Sequence, residues 1–119
     1  MRENRIIIEM GMGNDLYGQD YTKAAARAIE DAIRHSSLPL FEALGIPHDR
    51  MRVTVTVGVQ VPESVDTRSL VDGLPRGRVS VTAVHGGLDV HNPDLGTTIV
   101  IATAAVEAWL PKETGTIGA

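Results

Sequence analysis

The sequence predicts a two-layer α+β domain: a four-stranded mixed sheet with one main helix on one face, in the order β-α-β-(short α)-β-β. Three stretches carry that prediction. Between Arg52 and Val61, Val53, Val55, Val57, Val59 and Val61 alternate with Thr54, Thr56, Gly58 and Gln60, the period of a half-buried strand. Between Asp20 and His35, Ala25, Ala28, Ile29, Ala32 and Ile33 recur at helical spacing and form one apolar stripe. Between Thr97 and Val106 nearly every position is apolar, as in a strand buried on both faces.

Taken in order, the first strand is expected over Arg5–Met10, where Ile6, Ile7 and Ile8 supply β-branched side chains. Gly11, Gly13 and Gly18 break it into a loop. The main helix follows, with Asp20 or Thr22 as its cap and Glu30 placed four residues before Arg34. Its stripe is mostly alanine, so it can approach the sheet closely. Ser36, Ser37 and Pro39 end it, and Leu40–Leu44 adds a turn or two before Gly45. Pro47, His48 and Asp49 read as a turn. After the valine strand, Asp66 caps a short helix over Thr67–Asp72, closed by Gly73 and Pro75. Arg78–Val84 is the third strand and Thr97–Val106 the fourth. Residues 1–111 form a single domain, and 112–119 a flexible tail.

One helix layer covers one face of such a sheet, while Ile99–Val106 offers apolar side chains to both. A homo-oligomer, trimeric or a multiple of three, is therefore expected to cover the second face. The alternative is that the short helices do so.

The composition excludes several roles. Eleven Lys and Arg against fifteen Asp and Glu leave a net charge of −4, which disfavours nucleic acid and anionic membranes as partners. Aromatic residues make up 3%, too few for base-stacking platforms. The absence of cysteine removes disulfides and thiolate metal sites. Ile6–Ile8 is too short for a signal or membrane segment, so the expected location is the cytoplasm.

The polar residues around the first loop are the leading candidates for a site. Asp15, Gln19, Asp20 and Lys23 gather near a helix start, with Glu9 before them. A lysine beside carboxylates can hold a substrate carboxylate or polarise a carbonyl. Nucleotide binding is disfavoured, because Leu16 stands where G-x-G-x-x-G needs its third glycine and Asp15 and Asp20 repel phosphate. His85 closes a strand, where open α/β sheets often place ligands, and titrates near neutral pH. Gly86 and Gly87 would let a ligand or another backbone come close. His85, Asp89, His91 and Asp94 show no fixed metal spacing, so neither metal nor cofactor is expected. Trp109 reads as a packing anchor, in a helix layer or at a subunit contact.

Three segments resemble the signature of a small uncharacterised family known by the name of a listerial locus. They are Glu9–Asp15, Gly18–Ala25 with its Gly-Gln-Asp-x-Thr-Lys-Ala-Ala pattern, and His85–Leu88. The resemblance implies no activity. In element order the chain is also similar to the bacillary-type chorismate mutase, the reactive-intermediate deaminases and the ring-opening cyclic amide hydrolases. That similarity implies a trimer-based assembly with ligands held in clefts between subunits. It departs from the mutase at Met10-Gly11-Met12, where an arginine is wanted, and from the hydrolases in lacking a serine partner for Lys23. Neither activity is assigned.

The expectation is therefore a homo-oligomer that binds, or binds and converts, a small polar metabolite in a cleft between subunits. Lys23 would meet its carboxylate or carbonyl, and Asp20 or His85 would move a proton. Asp15, Gln19, Gly86 and Gly87 would complete the binding surface. The alternative is a non-catalytic structural or regulatory subunit of a larger enzyme.

Overall fold

The computed structural model describes residues 3–34, 50–74 and 78–111. Within them the order is β1 (Glu3–Asp15), α1 (Tyr21–Arg34), β2 (Arg52–Val59), a 3-10 turn at Pro62–Ser64, α2 (Thr67–Asp72), β3 (Arg78–His85), β4 (Leu88–Asn92) and β5 (Thr97–Pro111). The expected helix and turn between 36 and 49, Pro75 and the tail lie outside the described residues.

The sheet has five strands, not four. The added strand is β4, which pairs antiparallel with Thr97–Ile101 of β5. It is five residues long and follows two glycines, so it carries too little pattern to be read alone. Across the sheet the order is β1-β5-β2-β3. β5 runs antiparallel to both β1 and β2, while β2 and β3 are parallel. β4 continues the line of β2: β2 occupies the flank of β5 from Thr103 to Trp109, and β4 occupies it from Thr97 to Ile101.

β1 extends well past Met10. Gly11 and Gly13 are strand residues paired with Ala104 and Ala102, not loop residues. Both lie under α1. A Cβ on Gly13 would stand 2.3 Å from the Ala28 nitrogen, and one on Gly11 2.4 Å from the Ala28 oxygen. Met10 and Met12 take the alternate positions, on the opposite face. The Met-Gly-Met-Gly run is thus an ordinary strand alternation with nothing at all on the helix side.

The core lies between α1 and the sheet. Ala24, Ala25, Ala28, Ile29 and Ala32 bury against Val53, Val55, Val57, Val59, Val100, Ala102, Ala104 and Val106. Small residues on both layers bring helix and sheet together, as the alanine stripe predicts. α2 joins the same layer through buried Leu70, with Asp66 capping it by accepting from the Ser69 N–H at 3.2 Å. No described element covers the other face. The alternative, cover by the short helices, is not provided by α2, and Leu40–Leu44 lies outside the described residues. Among the described residues no helix is long and apolar enough to cross a membrane.

Candidate functional site

The turn after β1 is organised by one carboxylate. Asp15 is 5% exposed, the one buried charged residue among those described. Its Oδ2 accepts hydrogen bonds from the Gly18 N–H at 3.1 Å and the Asp20 N–H at 2.9 Å. A buried carboxylate needs such donors. Asp20 then caps α1, its Oδ1 accepting from the Lys23 N–H at 3.0 Å. Between them Gln19 adopts a left-handed backbone (φ 49°). That conformation is costly for a residue with a side chain, and the two carboxylates on either side hold it.

The first two turns of α1 project two cations over this turn. Lys23 Nζ lies 4.0 Å and Arg27 NH1 3.8 Å from Asp15 Oδ1. These are loose contacts, and the side chains of Lys23 and Arg27 are 55% and 47% exposed. Arg27 is anchored separately, donating to the Asn14 carbonyl at 2.6 Å. Around them opens a pocket of about 350 Å³ lined by Asp15, Leu16, Tyr17, Gly18, Asp20, Lys23 and Arg27. Two acids balance two bases, and the bases face solvent.

The structure thus joins Asp15, Asp20 and Lys23, and adds Arg27, Leu16 and Tyr17. Arg27 was legible as the residue one helical turn beyond Lys23. Glu9 is on the same face of β1 but six residues back, about 20 Å away at strand rise. His85 ends the opposite edge strand, paired with Val59. Three strand spacings, about 14 Å, separate it from β1, and it does not line this pocket.

Gly86 and Gly87 meet backbone. The chain leaves β3 and crosses over Gly58 to begin β4. A Cβ on Gly86 would be 3.2 Å from the Gly58 Cα, and one on Gly87 2.2 Å from the Ile101 oxygen. Gln60 secures the crossing, its Nε2 donating to the carbonyls of Gly86 at 3.0 Å and Gly87 at 3.2 Å.

A second carboxylate flanks the start of α1 from the other side. Asp15 and Asp89 both pair with Val100, from opposite flanks of β5. The Tyr21 hydroxyl donates to Asp89 Oδ2. Gln19 also reaches this phenol instead of lining the pocket. The bond to Asp89 and burial raise the Tyr21 pKa above its ordinary value of 10.0. Folding therefore favours the neutral phenol. That stabilisation is complete below the unfolded-state pKa and is lost as pH rises through the higher folded one. Stability is expected to fall above about pH 10, and Tyr21→Phe to flatten that fall. Urea midpoints of both proteins across pH 8–11 check it.

The sequence matches a family described as "Conserved hypothetical protein (Lin0512_fam)" over residues 5–108. This chain belongs to that family. Its match spans β1 through Ala108 of β5, so the Asp15 turn, α1 and the glycine crossing are all inside it. Among solved structures the chain is similar to an FtsZ-like protein of unknown function from Nostoc punctiforme. The two share 38% identity and superpose with a TM-score of 0.79, covering 94% of this chain and 99% of that one. No curated protein matches the chain.

Proposed function

We propose that this member of the family binds a small polar metabolite through a carboxylate, in the pocket between the Asp15 turn and the first turns of α1. The observation that supports it most is the pairing of two solvent-facing cations, Lys23 and Arg27, with a buried acid that already has its own backbone donors. Asp15 keeps the pocket in shape and does not need to be neutralised by Lys23. The lysine and arginine are left to receive a carboxylate, and Tyr17 and Leu16 supply an apolar rim. Asp20, spent on the helix cap, has one oxygen left to accept a donor from the ligand. His85 and the Gly86–Gly87 crossing act elsewhere, in the sheet.

The protein works in this reading as a cytoplasmic homo-oligomer, trimer-based as in chorismate-mutase-like folds. Leu16 and Tyr17 directly follow β1, whose apolar side chains face away from α1, so a neighbouring subunit on that face comes close to the rim. A second reading, a non-catalytic structural or regulatory subunit, is favoured by the same uncovered face. Copurification in a stoichiometric complex with a different protein would support it.

The test is a thermal-shift screen against small mono- and dicarboxylates, keto acids and inorganic phosphate. A carboxylate at about 100 times its Kd should add roughly 2.7 kcal/mol of stability. The double substitution Lys23→Ala with Arg27→Ala should abolish that rise. It should change the unliganded protein by about 1 kcal/mol or less, because exposed ion pairs contribute little. A double variant that keeps the full rise refutes the site.

A further inference from the structure

β1 is an outer strand of the sheet, and β5 pairs with one of its two edges. The other edge turns backbone N–H and C=O groups away from the sheet, where a strand of another chain could pair with them. The segment is well suited to such pairing. Ile6 to Met12 holds three isoleucines, two methionines, one charge and no proline, the composition of strands that stack on one another. Met10 is 73% exposed and Met12 59%.

α1 closes part of this edge with side chains. The Met12 N–H donates to Asp31 Oδ2 at 3.0 Å, and the Asn14 carbonyl accepts from Arg27 NH1 at 2.6 Å. In an antiparallel strand the N–H and C=O of one residue point to one side, and those of the next residue to the other. With Met12 turned outward, the outward set is Ile8, Met10, Met12 and Asn14. The spacing of the two elements matches. Arg27 and Asp31 are four residues apart, about 6 Å along a helix. Asn14 and Met12 are two apart, about 6.7 Å along a strand. Each of these helix turns therefore meets one outward strand position.

The other end of the edge is interrupted differently. The pairing with β5 shifts register between Arg5 and Ile7, and such a bulge turns the backbone out of line. Between the bulge and the two side chains, Ile8 and Met10 are the outward positions left. Two positions are fewer than a strand usually pairs through. Charged side chains, bulges and covering elements are the means by which sheet edges are kept from pairing. β1 has all three.

We propose that Asp31 and Arg27 guard this edge: they occupy the backbone groups through which a strand of another chain would extend the sheet at β1. Any native oligomer then forms through other surfaces. The inference is independent of what the pocket binds and of how many chains the native assembly holds. It is tested on the wild type, Asp31→Ala and the double variant Asp31→Ala with Arg27→Ala, at about 100 μM and without ligand. Light scattering and thioflavin T fluorescence are followed over days, with circular dichroism at the same temperature. The wild type should keep a constant mass. The double variant, with four outward positions open in a row, should gain mass and dye fluorescence while its circular dichroism stays that of a folded chain. Asp31→Ala, which opens Met12 alone, should do so more slowly, and it decides the matter if the double variant does not fold. Adding Met10→Lys to either variant should restore the constant mass, because a charge on an edge strand repels its own copy. Leu95→Lys, at an exposed position in the turn before β5, should not. Folded variants that keep the wild-type mass overturn the proposal. So does a mass that rises only where circular dichroism shows unfolding, or protection by Leu95→Lys equal to that by Met10→Lys.

Discussion

Gly13→Ala is expected to lower the melting temperature by roughly 10–15 °C, or about 3 kcal/mol. The new methyl group would stand 2.3 Å from the Ala28 nitrogen and 2.6 Å from the Arg27 carbonyl carbon and Cβ. None of these atoms is the free end of a flexible chain. Two are helix backbone, so α1 itself must move off the sheet by about an ångström. That movement opens the alanine seam at Ala25, Ala28 and Ala32, all fully buried. It also carries Arg27 away from the Asn14 carbonyl and loosens the pocket. Overpacking of this kind typically costs about 1–3 kcal/mol, and the absence of a yielding neighbour puts Gly13 at the top of that range. Calorimetry of the variant checks it; a shift of under about 3 °C would mean that α1 does not sit this close.

Gly87→Ala should be about as damaging, for two reasons that add. Gly87 has φ +61°, where an L side chain costs about 1–2 kcal/mol. Its Cβ would also meet the Ile101 oxygen at 2.2 Å and the Gly58 oxygen at 2.8 Å. Gly96 separates these effects. It has φ +68° but nothing within 4 Å of a built Cβ. Gly96→Ala should therefore lose only the backbone part, about 1 kcal/mol, and Gly87→Ala about 3 kcal/mol or more. Equal losses, measured by urea denaturation of both variants, would show that the crossing over Gly58 is not tight.

Much of this fold is legible in the residues. The valine alternation locates β2 to within two residues of its end. Asp20, Asp66 and Gly73 mark helix limits through cap chemistry, which acts locally. The glycines mislead because their role is set by distant partners. Gly11 and Gly13 read as a loop, since nothing nearby in sequence says that Ala28 and Ala32 will press on them. Gly86 and Gly87 read as room for a ligand or another backbone, and it is the backbone of Gly58 and Ile101 that takes the room. β4 hides for a related reason: it is stabilised by its pairing with β5 and by Tyr21 on Asp89, both long-range. Of the candidate site, Asp15, Asp20 and Lys23 share one short stretch, so their meeting is dictated by the helix start. Only an analogy with strand ends links His85 to them, and strand order puts it on the far edge.

The position of the site is the central claim, and amide chemical shifts test it most directly. Uniformly ¹⁵N-labelled protein would be titrated with the carboxylate that gives the largest thermal shift. The expected result is saturable movement of the amides of Gly18, Asp20, Lys23 and Arg27, with His85 and Gly86 unmoved. Saturable movement centred on His85–Leu88, with the Asp15 turn silent, would contradict it.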